Sequence, residues 1–307
     1  MTDAAPSKLR IWLMAARPKT LGAAVAPVII GTAIAYADML DIHWPSLVSA
    51  LLGAMLIQIG TNFANDYFDF VKGTDTKERI GPTRATQAGL VSPKTMRLAF
   101  VATFAAALIP GAYIIYRGGW PFVLIGLVSI VCGILYTGGP FPLGYLGLGD
   151  VFVLIFFGPV AVCGTYYLHG LELTPAVAMP GVFDLLLAGI APGLISVALL
   201  TVNNLRDVEQ DKISGKKTLA VRFGRGFARL EFQACILLAC LVLPLHFYWV
   251  TGNMLMWVVP AVTLPLASRT LRTVYRSTDG AALNRALGET GRLLIVFSIV
   301  FSAGWAL

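Results

Sequence analysis

The sequence contains little charge. Asp, Glu, Lys and Arg make up only 13% of the 307 residues, and 57% are hydrophobic, whereas soluble domains carry about 25% charged residues. The mean hydropathy is +0.77. This shortage excludes an ordinary soluble domain and indicates an integral membrane protein.

Cysteine is also scarce, and its placement excludes two further classes. The four cysteines, Cys132, Cys163, Cys235 and Cys240, all fall inside apolar runs. Their spacing fits neither a metal site nor a disulfide framework. A convincing signal-peptide cleavage site is missing as well, so we expect the first apolar run to be the first membrane crossing.

Long uncharged runs are abundant instead. A helix needs roughly 20 apolar residues to cross a bilayer, and such runs cover residues 20–37, 46–65, 98–116, 120–149, 151–168, 185–205, 232–268 and 293–307. The run 232–268 is long enough for two crossings, with "TGN" at 251–253 as the turn, and "TGGPFPLG" ends the helix within 120–149. We therefore predict one all-α domain over residues 1–307, with nine transmembrane helices in a bundle.

The basic residues predict the orientation of this bundle. Cytoplasmic loops are enriched in Lys and Arg. With the N-terminus inside, 22 of the 23 basic residues fall on the cytoplasmic side, between residues 8 and 19, 72 and 97, 206 and 229, and 269 and 292, and only Arg117 lies outside. The net charge of +7 therefore reflects insertion into a cell membrane, and no nucleic-acid partner is expected.

Two cytoplasmic loops, at about 66–97 and 204–229, share one polar pattern. Asn203, Asp207 and Asp211 are spaced by four, which places all three on one face of a helix. Asn65 and Asp69 repeat that spacing 138 residues earlier. We therefore predict pseudo-repeated halves, with a first Asp-rich motif at 65–75 and a second at 203–211.

Acids brought to one cavity mouth would repel one another unless a cation lay among them. The acids concerned are Asp66, Asp69, Asp75, Asp207 and Asp211. Carboxylate and amide oxygens suit Mg²⁺, which often shares its ligand shell with substrate phosphates. Interleaved basic residues could bind a diphosphate: Lys77, Arg79, Arg84, Lys212, Lys216, Lys217 and Arg222. The alternative is that these charges only solvate membrane-flanking loops, but the repeated spacing favours a magnesium diphosphate site.

The motifs resemble those of the UbiA superfamily of membrane prenyltransferases, and within it the 1,4-dihydroxy-2-naphthoate polyprenyltransferases of menaquinone biosynthesis. The similarity includes "ARPKTLGAAVAPVIIGTA", "NDYFDFVKGTDTKERIGPTRATQAGLVSP", "LYTGGPFPLGYLGLGD" and "NNLRDVEQDKISGKKTLAVRFG", with a weaker match at "NRALGETGRLL". Gly73 departs from the pattern, because many superfamily members carry a further Asp there, and Asp75 is the candidate substitute.

The resemblance implies transfer of a polyprenyl group from a polyprenyl diphosphate to 1,4-dihydroxy-2-naphthoate, with Mg²⁺ as cofactor and release of diphosphate and CO₂. It implies metal ligation by Asn65, Asp69, Asp75, Asn203, Asp207 and Asp211, with Asp69 and Asp207 central to catalysis. Asp66 is a candidate base or a further ligand.

Four residues are candidates for binding the acceptor. Arg17 or Lys19 could bind the acceptor carboxylate, although a boundary anchor explains Arg17 as well. Tyr136 and Tyr145 could line the acceptor site or belong to an interfacial aromatic belt.

Two other functions stay open at the level of sequence. A prenyltransferase with another aromatic acceptor, such as 4-hydroxybenzoate, shares the same motifs. A membrane transporter is the alternative from a different class, but transporters usually place their sites near the bilayer midplane. Here the acids cluster at the cytoplasmic ends of the apolar runs, which favours an enzyme.

Overall fold

The computed structural model describes residues 6–74, 81, 83–171 and 181–307, and every regular element in those ranges is helical. The α-helices are α1 Lys8–Ala16, α2 Pro18–Met39, α3 Trp44–Val71, α4 Pro93–Gly118, α5 Trp120–Leu135, α6 Gly149–Ile155, α7 Ala161–Gly170, α8 Val182–Ile213, α9 Leu219–Leu237, α10 Leu243–Thr251, α11 Val258–Arg276 and α12 Gly280–Ala306. A π-helical segment, Phe156–Val160, joins α6 to α7. A second one, Leu238–Val242, joins α9 to α10, and a 3₁₀ turn, Met254–Trp257, precedes α11.

Eight continuous helical stretches in the described ranges are long and apolar enough to cross a membrane. They are α2, α3, α4, α6 with α7, α8, α9 with α10, the 3₁₀ turn with α11, and α12. The all-α membrane fold expected from the sequence is therefore confirmed. The 16 residues of α5 extend about 24 Å at 1.5 Å per residue, less than the ~30 Å hydrocarbon core. The count of nine crossings stays a prediction.

Local sequence explains where several helices begin and end. The side chains of Ser92, Thr218 and Asp279 cap α4, α9 and α12 by accepting backbone N–H groups of the first turn, as expected of N-cap residues. Gly252 ends α10 in the left-handed conformation, with φ 70°, because glycine adopts this conformation without steric cost. This break lies within the turn expected at 251–253.

The two acidic motifs lie on helices rather than in loops, which corrects the sequence-based placement. Helix α3 continues to Val71 and α8 to Ile213, so residues 65–69 and 203–211 belong to their last turns. A helix satisfies its own backbone hydrogen bonds, and Asn65, Asp69 and the three residues spaced by four on α8 face a protected cavity. The helices therefore continue past the apolar runs that the sequence indicated.

Close approach of helix backbones fixes the centre of the bundle. A Cβ atom at Gly193 of α8 would lie 2.6 Å from the carbonyl oxygen of Leu154, and one at Gly189 would lie 2.6 Å from Cα of Pro159. Small residues four apart allow helices to pack at short distance inside a membrane. Helix α8 thereby packs on the π-helical segment, and also on α9 and α12. This places the second acidic motif opposite the first.

Candidate active site

A cavity of about 770 Å³ lies between helices α2 to α8. Asn65 and Asp69 reach it from α3, and Asn203, Asp207 and Asp211 reach it from α8. The structure therefore brings the two acidic motifs, which are far apart in the sequence, to the wall of one cavity.

Asp69 lies between two basic side chains. Its side chain is 1% exposed, and Arg84 donates to it across 2.7 Å. Lys216 approaches it to 3.3 Å, and the hydroxyl of Tyr145 donates across 3.1 Å. Arg84 follows the first motif and Lys216 follows the second, so Asp69 connects the two halves of the site.

Asp207 is held by its neighbour in the sequence. Arg206 donates through Nε to one carboxylate oxygen across 2.7 Å and through Nη2 to the other across 2.5 Å. Two further bonds run from Arg206 to the side-chain oxygens of Asn203 and Asn284, at 2.7 and 2.6 Å. Arg206 is only 3% exposed. Arg206 was not predicted as a site residue, although its place inside "NNLRD" was a usable signal.

Tyr145 lies between two lysines. The ammonium groups of Lys72 and Lys216 stand 4.8 and 4.9 Å from its ring centroid, within the range of cation–π attraction. Lys72 also donates to the carbonyl oxygen of Thr137 across 2.6 Å. Burial lowers the pKa of Lys72, the carboxylate of Asp69 opposes that shift, and the charge of Lys216 adds to it. Lys72 was not predicted as a site residue.

Asp66 does not reach the cavity wall. It is 2% exposed, and its two oxygens accept the backbone N–H groups of Ala85 and Thr86 at 3.0 and 3.1 Å. Its neighbour Asn65 does line the cavity and accepts the hydroxyl of Thr137 at 2.9 Å. The geometry therefore gives Asp66 a contact with the segment that carries Arg84 and none with the cavity.

Three further predicted diphosphate ligands in the described ranges, Lys212, Lys217 and Arg222, do not line the cavity. Lys212 pairs with Glu209 at 3.3 Å, and both side chains are more than half exposed. Lys217 is exposed, and Arg222 donates to the carbonyl oxygens of Leu146 and Lys217 at 2.7 and 3.0 Å. Asp75, Lys77 and Arg79 lie outside the described residues. Of the predicted basic ligands in the described ranges, Arg84 and Lys216 line the cavity.

Three of the four predicted acceptor-binding residues line the cavity: Arg17, Tyr136 and Tyr145. Lys19 is exposed, with the end of its side chain near Gly288 of α12. Arg17 joins α1 to α2 in the left-handed conformation, with φ 53° and ψ 69°. A non-glycine residue rarely adopts this conformation, and such strain is concentrated at ligand sites.

Away from the acids the cavity becomes apolar. Its walls there include Phe122, Phe152, Phe156 and Phe157. The rings of Phe152 and Phe156 stack with centroids 6.2 Å apart. Such walls exclude water, and ring faces attract cations. The cavity therefore combines an ionic end with a long hydrophobic chamber.

The ligand chemistry of the ionic end fits Mg²⁺ rather than a softer metal. Nowhere in the described ranges do three His, Cys, Asp or Glu side chains form a group that could hold a metal ion. The motifs offer carboxylate and amide oxygens, and few of them. Mg²⁺ commonly binds through one or two carboxylates and completes its octahedron with water and substrate phosphate.

Comparison with known proteins identifies the family. Residues 24–306 match the UbiA prenyltransferase family. A 1,4-dihydroxy-2-naphthoate octaprenyltransferase of Escherichia coli (strain K12) is 36% identical over 99% of this chain and 97% of its own length. The enzyme of the same name from Mycobacterium tuberculosis is 35% identical, with 96% of each chain covered.

A solved structure shares the fold. A UbiA homolog from Archaeoglobus fulgidus, bound to GPP and Mg²⁺, superposes with a TM-score of 0.68 at 17% identity, covering 97% of this chain and all of its own. Identity this low supports the fold alone.

Proposed function

The chain belongs to the UbiA prenyltransferase family, and from that membership we propose that it transfers a polyprenyl group from a polyprenyl diphosphate to 1,4-dihydroxy-2-naphthoate. A ring carbon of the acceptor replaces diphosphate at the allylic carbon, and the acceptor carboxylate leaves as CO₂. The product is a demethylmenaquinol, an intermediate of menaquinone biosynthesis. Family membership favours this reaction over the transporter considered from the sequence.

The observation that carries the proposal is the meeting of both acidic motifs at the polar end of one deep apolar cavity. A polyprenyl diphosphate has the same two parts, a multiply charged head and a long hydrocarbon tail. The near full-length relatives named 1,4-dihydroxy-2-naphthoate octaprenyltransferase support the choice of acceptor.

The polar residues would bind the diphosphate head. Asn65, Asp69, Asp207 and Asp211 would hold Mg²⁺, which when bound supplies positive charge that stabilises the departing diphosphate. Arg84 and Lys216 both lie within 3.3 Å of Asp69. They would donate to the oxygens of the diphosphate as the allylic C–O bond breaks. Preorganised donors of this kind lower the barrier because charge develops on the leaving group.

The rest of the cavity would protect the allylic cation and position the acceptor. The aromatic walls keep water from the cation and face it with negatively polarised ring surfaces. Arg17 would bind the acceptor carboxylate, because a guanidinium matches a carboxylate in shape and charge. Tyr136 and Tyr145 line the same cavity as Arg17, where they could contact the acceptor ring.

Asp66 would support the site without acting as a base. Because both of its oxygens already accept backbone N–H groups of the segment 85–86, its effect on the reaction would pass through the position of Arg84.

The acceptor is tested with purified protein in detergent, Mg²⁺ and a polyprenyl diphosphate. We expect prenylated product and CO₂ from 1,4-dihydroxy-2-naphthoate and none from 4-hydroxybenzoate, measured by mass spectrometry and by release of diphosphate. Addition of EDTA should abolish turnover. Turnover of 4-hydroxybenzoate without turnover of the naphthoate would overturn the choice of acceptor.

A further inference from the structure

Asn65 and Asn203 occupy the same position in the two repeated motifs, but the orientation of the Asn203 amide distinguishes them. Asn203 lies at the first position of the second motif, and its carbonyl oxygen accepts a bond of 2.7 Å from Nη2 of Arg206. A guanidinium has no acceptor atom. The atom of Asn203 that faces Arg206 must therefore be the oxygen, which fixes the orientation of the amide by chemistry.

The amide nitrogen of Asn203 is consequently left for the cavity. Asn203 lines the cavity and Arg206 does not. The amide oxygen of Asn203 therefore points away from the cavity, towards Arg206. In the described part of the chain no hydrogen bond from the Asn203 amide nitrogen is present. Asn203 thus presents an N–H₂ donor to the cavity. The amide of Asn65 instead contacts a threonine hydroxyl. A hydroxyl can donate or accept, so this partner allows either amide orientation at Asn65.

The guanidinium also makes the Asn203 oxygen a poor metal ligand. A positive charge 2.7 Å from a neutral amide oxygen repels a second cation at that atom. Asp207 differs, because its carboxylate carries a full negative charge, which can be shared between Arg206 and a metal ion. Residues that hydrogen-bond to metal-ligating carboxylates commonly orient them.

Arg206 is anchored well enough for that role. Its guanidinium is bound to α8 through Asn203 and Asp207 and to α12 through Asn284. The side chain is 1% exposed, so it has little room to reach a ligand in the cavity. This distinguishes it from Arg84 and Lys216, which line the cavity wall.

We propose that Arg206 is a positioning residue that fixes the carboxylate of Asp207 and turns the amide nitrogen of Asn203 into the cavity, so that Asn203 donates to the diphosphate instead of binding the metal. The inference rests on the proposed function, because it assigns roles within the same site. It replaces the metal-ligand role that the family resemblance implied for Asn203.

The deciding variant is Asn203→Asp. It keeps an oxygen for Arg206 but replaces the donor nitrogen with a second, charged oxygen. Two binding measurements on detergent-purified protein read out the effect: Mn²⁺ affinity by electron paramagnetic resonance, and affinity for inorganic diphosphate at saturating Mg²⁺ by calorimetry. We expect diphosphate affinity lower by roughly tenfold to hundredfold, the size of one charged hydrogen bond. The new carboxylate attracts Mn²⁺ whichever role Asn203 has, so the diphosphate measurement decides.

The opposite result would overturn the role of Asn203. If Asn203 ligates the metal, the new carboxylate should leave diphosphate affinity at saturating Mg²⁺ unchanged or improved. Both measurements omit the acceptor, so they are independent of whether naphthoate is the substrate. Failure of wild-type protein to prenylate the naphthoate would refute the proposed function and leave this comparison interpretable.

Arg206→Gln and Arg206→Lys test the positioning role. Both lose the two-pronged contact with Asp207, and Lys retains the charge. We expect both variants to bind Mn²⁺ at least tenfold more weakly, with little rescue by Lys. Arg225→Lys is the matched control, since Arg225 is a partly exposed arginine on α9 that donates to Leu205 and Glu209. A lower melting temperature with wild-type Mn²⁺ affinity would mean that Arg206 is only structural.

Discussion

At the scale of single residues, the site is a set of charges that neutralise one another before any ligand binds. Asp69 is enclosed by Arg84, Lys216 and Tyr145, and Asp207 by Arg206. Burying a carboxylate without such partners would be costly. The same pairing leaves basic groups close to where a diphosphate would bind. Function and stability therefore depend on the same contacts.

Replacing Asp69 or Asp207 with Asn removes a charged oxygen and keeps the shape of the side chain. We expect each change to lower the rate of prenyl transfer by roughly 10²–10³-fold, the range found when a group that stabilises a transition state is removed. Steady-state kinetics over a Mg²⁺ series checks the effect. Glu209→Gln is the control, because Glu209 is 61% exposed. Wild-type kinetics in Asp69→Asn would refute its role.

Asp66→Ala distinguishes a supporting residue from a catalytic base. The change leaves the buried N–H groups of Ala85 and Thr86 without their acceptor, which should cost about 2 kcal/mol and displace Arg84. We expect a lower melting temperature and a higher KM for the prenyl diphosphate, with kcat changed less. A variant with wild-type melting temperature and a collapsed kcat would instead support the role of a base.

At the scale of elements, helix α8 carries the second motif, and its position depends on glycine contacts. Gly189 and Gly193 allow it to touch the π-helical segment at backbone distance. The π-helical segment contains Gly158 and Pro159, residues that interrupt regular helical hydrogen bonding. The apolar run from 151 to 168 indicated one plain helix. The interruption matters because it lets the chain follow the surface of α8.

Gly193→Ala tests this contact. The added methyl group would lie 2.6 Å from the carbonyl oxygen of Leu154, so the helices must separate. We expect a destabilisation of about 1–3 kcal/mol, measured by thermal unfolding in detergent. Gly226→Ala on α9 is the control, since a Cβ there meets nothing within 4 Å. It should be neutral or stabilising by up to ~1 kcal/mol. Equal melting temperatures for the two variants would contradict the packing argument.

At the scale of the whole molecule, the protein is a helical bundle embedded in a membrane, and the distribution of its charges predicts the orientation. The acidic motifs and nearly all basic residues share one end of the sequence-derived topology. Arg117, the exception, donates to the carbonyl oxygen of His169 at the other end. We expect the N-terminus and the ionic end of the cavity to face the cytoplasm. The charged groups of both proposed substrates would then enter the cavity from that side.

Two single cysteines test the orientation. Leu40→Cys, after α2, should react with a membrane-impermeant maleimide in intact cells. Thr278→Cys, between α11 and α12, should react only after permeabilisation, because it lies among basic residues expected inside. Both positions are exposed. The wild-type chain provides the background, since its four cysteines lie in apolar runs. Labelling of Thr278→Cys in intact cells would reverse the topology.

The sequence by itself determined the membrane class, the helical bundle and the two acidic motifs. These follow from local quantities: the length of uncharged runs sets the crossings, and a spacing of four places Asn203, Asp207 and Asp211 on one helix face. Lys216 could also be selected, because a basic residue close after an acidic motif is a visible signal, and Arg17 could be selected as a basic residue just before the first apolar run.

Only the tertiary structure decided which polar atoms face the cavity. Asp66 was a candidate base or further ligand, but its oxygens meet backbone groups about 20 residues away. Asn203 looked equivalent to Asn65, but its oxygen faces Arg206. Such choices depend on hydrogen bonds between segments distant in the sequence. A spacing rule gives the face of a helix on which a side chain lies, whereas its partners exist only once the helices have packed.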